Sequence, residues 1–414
     1  MSGCHRLGLI FFLPGLLALS SPHAWSQLVL GQYEDEAPFR TWNTYGGVTA
    51  PYLGLGGASL AYAADVSAAL SNPALLLKLP RACFSVDGSF NHATFFKYAL
   101  VNTGVLASAG NLSANFWALD SAGFSLRIKD WAFALVANLA ESYDRPAVDY
   151  SFSSEGSLLY KLSFDQKGTL RNFHFSVARR LFDRLCAGLG VNVLRGDFNR
   201  DTLEHWTTGD IQINDRKTQA YSGFNLNVGL TYELTDGLTA ALVFRPPFTK
   251  KAKSQSLLEY LAPKGQADIR IEASSEDSYK QPLIIGAGAD WRITTGLRVV
   301  SDLAFYNWSH YRVNYFGEEV QREFRDIVQI RAGVEYLAAH NIFGRPAKIP
   351  LRFGIQYDPQ PMKAPHSSYF YYSIGTGIQS GRFQLDAAAF FGKESGSGNS
   401  LSGQRIAVSL SYKI

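Results

Sequence analysis

Charged side chains recur at alternate positions within apolar stretches of this sequence, a spacing that allows ion-pair chemistry along one face of a strand. They are Arg245, Asp290, Arg292, Asp302, Arg331, Glu335, Arg352, Asp386 and Arg405. Because both signs occur on neighbouring stretches, the pattern predicts salt bridges that brace an internal wall. The alternative is that one arginine binds a carboxylate ligand, since a guanidinium holds that group by two parallel hydrogen bonds.

Motifs of hydrolytic and phosphate chemistry are absent from the sequence. It contains no Gly-x-Ser-x-Gly, no His-Glu-x-x-His and no Gly-Lys-Ser/Thr phosphate loop, and its eight histidines are scattered. We therefore expect a protein that is not an enzyme and that uses no cofactor and no metal. A lipase-like pair of dispersed His and Ser is the alternative that motif absence leaves open.

The N-terminus predicts export. Residues 1–26 combine a basic start, an apolar run and a small-residue cleavage site, so we expect a signal peptide and a mature chain from Gln27. The mature chain would keep Cys83 and Cys186, too few for a disulfide framework. We expect two free thiols, with a single bridge between them as the alternative.

Composition favours an outer-membrane β-barrel. The chain has 28 Phe, 21 Tyr, 7 Trp and 37 Gly, a net charge of +4 and a mean hydropathy of -0.06. Lipid-facing apolar residues that alternate with lumen-facing polar ones give such an average. The small net charge offers no indication of nucleic-acid binding.

Alternation of period two runs from residue 83 to the C-terminus and predicts a transmembrane antiparallel β-barrel of about 14 strands. In 224–232, for example, apolar residues alternate with Asn225, Asn227, Gly229 and Thr231. Tight turns alternate with long polar segments, including 142–168, 199–218 and 249–282. Because short turns of such barrels face the periplasm, we expect both termini there.

A segment before the barrel, residues 56–79, follows neither pattern. It opens with small residues, Asp65 is a candidate N-cap, and Asn72-Pro73 is a second helix start in which Asn caps and Pro occupies the first turn. We predict three regions: a signal peptide at 1–26, an N-terminal hatch at 27–80 that plugs the lumen, and the barrel at 81–414. A buried hairpin of a soluble core is the alternative for 56–79.

Four stretches, in order along the chain, resemble the FadL and TodX type of outer-membrane transporter for long-chain fatty acids and hydrocarbons. They are the small-residue segment ending in Asn72-Pro73-Ala74, Ala241–Phe248, the stretch from Gln281-Pro282 to Asn307-Trp308-Ser309, and Leu351–Asp358. The resemblance implies a fourteen-stranded barrel plugged by its N-terminal hatch. It also implies passive uptake of hydrophobic molecules, which enter the lumen and leave sideways through a wall gap near the hatch.

The same resemblance singles out candidate site residues. Asn72, Pro73 and Ala74 would border the ligand path, and Arg245, which lies in a family-like strand, would contact a ligand carboxylate. A dry path suits such ligands, since exposing a chain to water costs about 0.8 kcal/mol per CH₂.

An outer landing groove is predicted at 254–261. Helical spacing of its leucines groups Leu257, Leu258, Tyr260 and Leu261 on an amphipathic run. A loop helix that packs on its neighbours is the alternative. Lys250, Lys251 and Lys253, just before it, would meet lipopolysaccharide phosphates or a ligand carboxylate, or form a solvated face.

The sequence favours two functions above all others. The first is passive transport of fatty acids or hydrocarbons across the outer membrane, with the lipid bilayer and lipopolysaccharide as surroundings. The alternative is a secretion-accessory or shuttle barrel that binds protein partners there. A general porin ranks third, because an apolar hatch would fill its lumen.

Overall fold

The computed structural model describes residues 47–97, 111–207, 209–263, 266–320, 323–342, 344–364, 366–397 and 401–414. The predicted signal peptide and the first part of the predicted hatch, residues 27–46, lie outside these ranges. The strands in chain order are β1 Ala82–Lys97, β2 Asn111–Ile128, β3 Trp131–Ser142, β4 Arg145–Ser154, β5 Ser157–Phe182, β6 Leu185–Trp206, β7 Ile211–Thr235, β8 Leu238–Arg245, β9 Phe248–Leu261, β10 Ile269–Gln281, β11 Ile284–Arg292, β12 Leu297–Tyr306, β13 Arg312–Tyr315, β14 Glu318–Val320, β15 Ile327–Ile342, β16 Arg345–Pro359, β17 Ser368–Ser380, β18 Phe383–Ser395 and β19 Ser402–Lys413.

These pieces form fourteen antiparallel strands of a closed barrel. Five consecutive pairs, β3–β4, β8–β9, β10–β11, β12–β13 and β14–β15, are single strands with an interruption. For instance, β3 and β4 both pair with β5, and β8 and β9 both pair with β7. The barrel closes where β1 pairs with β19. The predicted fold is confirmed.

Prolines explain two of the interruptions. Pro246-Pro247 separates β8 from β9, and Pro282 separates β10 from β11 on the neighbouring strand. Proline lacks the N–H that a ladder bond requires, so both strands lose pairing at the same level of the wall.

The alternation of the sequence sets which side chains face the lumen. Leu351 and Phe353 are 51% and 54% exposed on the outside, whereas Arg352 between them is buried. Val328 and Ile330 are likewise exposed, and Arg331 is buried. The register expected for these two strands is confirmed.

Arg292 is a correction to the predicted luminal charges. It is exposed at the end of β11 and donates to the backbone oxygen of Asp236 in the adjacent turn at 2.7 Å. Because a strand end can twist away from the lumen, alternation does not predict there which way a side chain faces. Of the other eight, seven are buried and Asp290 is partly buried.

Three segments expected to be polar loops are largely strands. Residues 142–168, 199–218 and 249–282 lie mostly in β4 to β7, β9 and β10, which continue well beyond the neighbouring strands. The segment 339–347, which the sequence predicts as a turn, is the end of a hairpin, with β15 ending at Ile342 and β16 beginning at Arg345. The sequence did not reveal them because neither face is consistently apolar, so the period-two signal disappears while the backbone pairing continues.

Short helices occur mainly before β1: α1 Ala50–Leu53, α2 Ala68–Ser71 and a 3-10 helix Pro73–Lys78, with a further 3-10 turn Trp308–His310. Within the described ranges, no helix is long and apolar enough to cross a membrane. Residues 47–80, here called the luminal segment, contact the inward face of strands around the barrel. Ala50 N donates to Ser409 Oγ at 2.8 Å, and Ser59 N donates to Asp302 Oδ2 at 2.6 Å.

Candidate functional site

The turn at Asn72 has the local structure that its sequence predicts. The Asn72 Oδ1 atom accepts from Ala74 N at 3.0 Å, and Pro73 occupies the first position of the 3-10 helix. The Asn72 amide also donates to Leu60 O at 2.8 Å and to Leu230 O at 3.2 Å. One side chain therefore caps a helix, ties two parts of the luminal segment together and attaches them to β7.

Glycines of the barrel wall make room for this turn. A Cβ atom at Gly229 would lie 2.0 Å from Asn72 Oδ1, and one at Gly188 would lie 2.4 Å from Ala74 N. Both distances are far inside van der Waals contact, so the turn lies directly on the backbone of β6 and β7. Asn72, Pro73 and Ala74 are thus brought together against one patch of wall.

Asp65 ties two bends of the luminal segment together. Its carboxylate accepts from Ser67 N at 2.8 Å and from Thr49 Oγ1 at 2.7 Å. Helix α2 itself begins at Ala68 with Ser67 at the cap position, two residues later than predicted. Burial raises the pKa of the Asp65 carboxyl, while the hydrogen bonds from Ser67 and Thr49 act in the opposite direction.

A network of buried and partly buried ion pairs lines the wall on strands β11, β12, β15, β16 and β18. Arg352 lies between Glu335 and Asp386, with both N–O distances 2.7 Å. Arg298 contacts Glu335 at 3.0 Å and Asp290 at 2.9 Å. The predicted bracing is confirmed for Asp290, Glu335, Arg352 and Asp386. Arg298 was not among the predicted charges, although it has the parity of Asp302 on the same strand and could have been found by it.

This ionic wall also packs tightly on the luminal segment. A Cβ atom at Gly354 would lie 1.9 Å from Gly56 N, and one at Gly54 would lie 3.3 Å from Arg352 Cβ. Gly56 has a φ of 69°, a left-handed conformation that favours glycine. Backbone therefore rests on backbone on this side of the lumen.

A row of asparagines crosses the opposite wall from β3 to β7. Asn172 Nδ2 donates to Asn138 Oδ1 at 3.0 Å and to Asn192 Oδ1 at 2.9 Å, and Asn192 Nδ2 donates to Asn227 Oδ1 at 3.1 Å. Asn227 Nδ2 in turn donates to Leu70 O of the luminal segment at 3.0 Å. We call Asn138, Asn172, Asn192 and Asn227 the amide row. Each asparagine alone is an ordinary strand residue, so the continuity of the row is visible only in the register of the strands.

Arg245, the candidate carboxylate contact, lies at the β8 end of the amide row. It is buried, and its Nε donates to Asn227 Oδ1 at 3.0 Å. The structure thus brings Arg245 close to the Asn72 turn, since both contact the inner faces of β7 and its neighbours.

The wall has a seam between β2 and β3. Among the described residues, their ladder runs only from the Ser121–Asn138 pair to the Ile128–Trp131 pair. Beyond it, residues 111–120 pair with β1, whereas the rest of β3 and all of β4 pair with β5. The luminal segment packs on the paired part of β3 next to this seam, since Val66, Ala69 and Leu70 form one cluster with residues 132–136.

Above the amide row the lumen is aromatic and holds a buried lysine. The Lys250 ammonium lies over the rings of Tyr143, Tyr221 and Tyr279, 5.4, 4.7 and 5.2 Å from their centroids, and 3.6 Å from the Glu141 carboxylate. Lys250 was expected on the outer rim with Lys251 and Lys253. Instead it points inward, whereas the other two are exposed.

The predicted landing groove is a strand and not a helix, since residues 254–261 belong to β9. In a strand, residues two apart share a face. Leu258 and Tyr260 therefore continue the face of the buried Ser254, and Leu257 and Leu261 lie on the other face. The four residues do not form one surface.

Leu258 and Tyr260 do belong to an apolar surface, which we call the inner face of the long wall. The long wall comprises β4 and the parts of β5, β6, β7, β9 and β10 that extend past their neighbours. By register its inner face includes Tyr160, Trp206, Ile213, Leu258, Tyr260 and Ile271. It opens directly onto the aromatic part of the lumen.

Sequence comparison assigns a family. The BamG family model matches residues 48–396 of the chain. No curated protein matches the sequence.

Solved structures match nearly the whole chain at low sequence identity. The Pseudomonas aeruginosa FadL homologue is 13% identical with a TM-score of 0.61, covering 90% of this chain and 97% of its own. The Pseudomonas putida toluene transporter TodX is 16% identical with a TM-score of 0.63, covering 89% and 98%. The Ralstonia pickettii toluene transporter TbuX is 15% identical with a TM-score of 0.60, covering 90% and 99%. At these identities the likeness establishes the fold alone. The family model that matches the chain is BamG and not FadL.

Proposed function

The chain belongs to the BamG family, and from the geometry of its barrel we propose that it transports hydrophobic small molecules passively across the outer membrane of a Gram-negative cell. The observation that carries this proposal is the seam between β2 and β3, beside the luminal segment. An unpaired stretch of wall next to an apolar packing surface would offer a ligand an exit that avoids water.

The path begins on the inner face of the long wall and continues through the aromatic lumen. Leu258 and Tyr260 provide the landing surface, and the rings around Lys250 line the descent. The ligand then meets the luminal segment, which acts as a hatch at Asn72, Pro73 and Ala74. Both chain termini lie in the periplasm, on the side of the short turns.

Fatty acids and hydrocarbons are the proposed ligand classes. The FadL homologue, TodX and TbuX share this fold, and the latter two are toluene transporters. Arg245 would contact the carboxylate of an acid, because its guanidinium lies at the turn that the ligand must pass.

A disulfide lock tests the hatch. In a variant with Cys83→Ser and Cys186→Ser, the pair Asn72→Cys and Gly229→Cys places two thiols where the turn touches the wall. We expect transfer of labelled palmitate into liposomes to stop on oxidation and to return on reduction. A control pair with Asn72→Ser in place of Asn72→Cys should be insensitive to oxidant. Equal transfer in both redox states of the locked barrel would contradict the hatch.

The secretion-accessory barrel is the second candidate, favoured by the open edges of the long wall. Residues 269–277 of β10 pair with β9, while β13 pairs only with residues 278–280. Such an edge can pair with an extended segment of another protein. Co-purification of a stoichiometric protein partner, lost on replacing Ile271 by Pro, together with no ligand transfer, would favour this function over transport.

A further inference from the structure

The amide row has two defined ends. One end is Asn227, which donates to Leu70 O of the luminal segment, and the other is Asn138. Asn138 and Ser121 form the last pair of the β2–β3 ladder, at the start of the seam. A continuous line of side-chain amides therefore joins the luminal segment to the start of the seam.

The row carries unused hydrogen-bonding capacity. Within the part of the chain that the structure describes, Asn172 Oδ1 and, nearby on β7, Asn225 Oδ1 have no hydrogen-bond partner, although both residues are 2% exposed. Buried acceptors without a partner are disfavoured, so such atoms indicate an occupant that can donate. An alkane offers no donor, whereas a hydroxyl group or a protonated carboxyl group does.

The row is also uncharged. Every amide presents a donor and an acceptor of similar strength, so a polar head group can exchange one amide for the next without a large difference in free energy. Arg245, at the Asn227 end of the row, would instead retain an ionised carboxylate, because a charge-assisted hydrogen bond is stronger than a neutral one. Next to the row, Val136 of β3 and Leu70 provide apolar surface for the attached chain.

We propose that the amide row is a track along which the neutral polar head of a long-chain amphiphile, such as a fatty alcohol, moves from the hatch to the seam. The inference rests on the proposed transport function and specifies its substrate class. Ligands with a neutral donor head are moved faster than alkanes of equal length.

The test compares two ligands that differ only in the head group. The full-length barrel is reconstituted in liposomes, and delivery of labelled hexadecanol and hexadecane from cyclodextrin is measured against protein-free liposomes. Asn172→Leu removes the central amide at similar volume. We expect hexadecanol delivery to fall about tenfold, the effect of about one neutral hydrogen bond, and hexadecane delivery to stay unchanged.

Asn91→Leu is the matched control. Asn91 is also a buried asparagine of the wall, but it bonds to Ser89 and lies outside the row. This variant should deliver both ligands at the wild-type rate. If Asn172→Leu does not assemble, Asn138→Ala at the seam decides by the same comparison.

The outcomes separate the track from the transport function. If Asn172→Leu leaves both delivery rates unchanged, or reduces both by the same factor, the track is overturned. The amide row is then a structural part of the wall. A wild-type barrel that delivers neither ligand above the protein-free rate overturns transport and the track together.

Discussion

The two sides of the lumen hold the luminal segment by different chemistry. On the side of β15, β16 and β18 the segment rests, backbone on backbone at Gly354, on a wall that is braced internally by buried ion pairs, with Arg352 between two carboxylates. On the side of β3 to β7 the contacts are neutral amides, a single Asn–Pro turn and one partly exposed ion pair, Lys78–Glu233 at 3.4 Å. Removing one partner of a buried ion pair costs far more free energy than exchanging one neutral hydrogen bond for another. The ionic side can therefore serve as the anchor, and the amide side as the part that moves.

The largest effect is expected from the anchor. Arg352→Met leaves Glu335 and Asp386 buried without their guanidinium, which should lower the free energy of unfolding by about 3–5 kcal/mol. Urea unfolding of the reconstituted barrel measures this. Arg292→Met is the control, since Arg292 is exposed and its side chain donates to a backbone oxygen of a turn. A loss no greater than that of the control would remove the distinction between the two sides.

The adjacent residue tests the orientation of the same strand. Leu351 faces outward, so Leu351→Arg should cost about 2–4 kcal/mol if the residue lies near the membrane midplane. Leu351→Met should be nearly neutral. The same urea unfolding measurement applies, and wild-type stability for Leu351→Arg would contradict the register.

A pair of glycine variants compares the two contacts directly. Gly354→Ala places a Cβ against Gly56 backbone, and Gly229→Ala places one against the Asn72 side chain. Overpacking costs about 1–3 kcal/mol, and we expect Gly354→Ala to be the more destabilising because backbone cannot rotate away. Gly229→Ala should mainly raise leakage of small polar solutes in liposome swelling. Gly88→Ala, where the nearest atom lies at 3.3 Å, is the matched control.

The smallest change in stability is expected at the moving side. Asn72→Ala combined with Pro73→Gly removes a cap and loosens the turn, at a cost of about 1–2 kcal/mol. The barrel should still show heat-modifiable gel mobility, while solute leakage rises or palmitate transfer falls. Unchanged leakage together with unchanged transfer would make the luminal segment a tether.

The sequence predicted the barrel well because the lipid-facing side of each strand must be apolar. Leu351-Arg352-Phe353 shows the alternation from which this register follows. It predicted the Asn72 cap for a similar reason, since capping depends on residues two positions apart.

What lay beyond the sequence depends on contacts between distant strands. The amide row joins residues up to 89 positions apart through register alone, as from Asn138 to Asn227. The long wall escaped detection because strands that are wet on both faces lack alternation, and Leu257–Leu261 therefore read as a helix. The interruption at Tyr143-Asp144 and the seam depend on how distant strands pair, which no local pattern encodes.

Closure of the barrel by β1 and β19 has a consequence for the order of assembly. The closing ladder runs from Cys83–Lys413 to Thr94–Ser402, so it joins residues more than 300 positions apart and carries the largest loop-closure entropy of the fold. The luminal segment precedes β1 and bonds to both partners of that ladder, since Ala50 N donates to Asp87 and to Ser409. It must therefore be lodged between the walls when the last strand arrives, and pairing of β19 with β1 traps it. Synthesis from the N-terminus supplies the trapped piece first and the lock last.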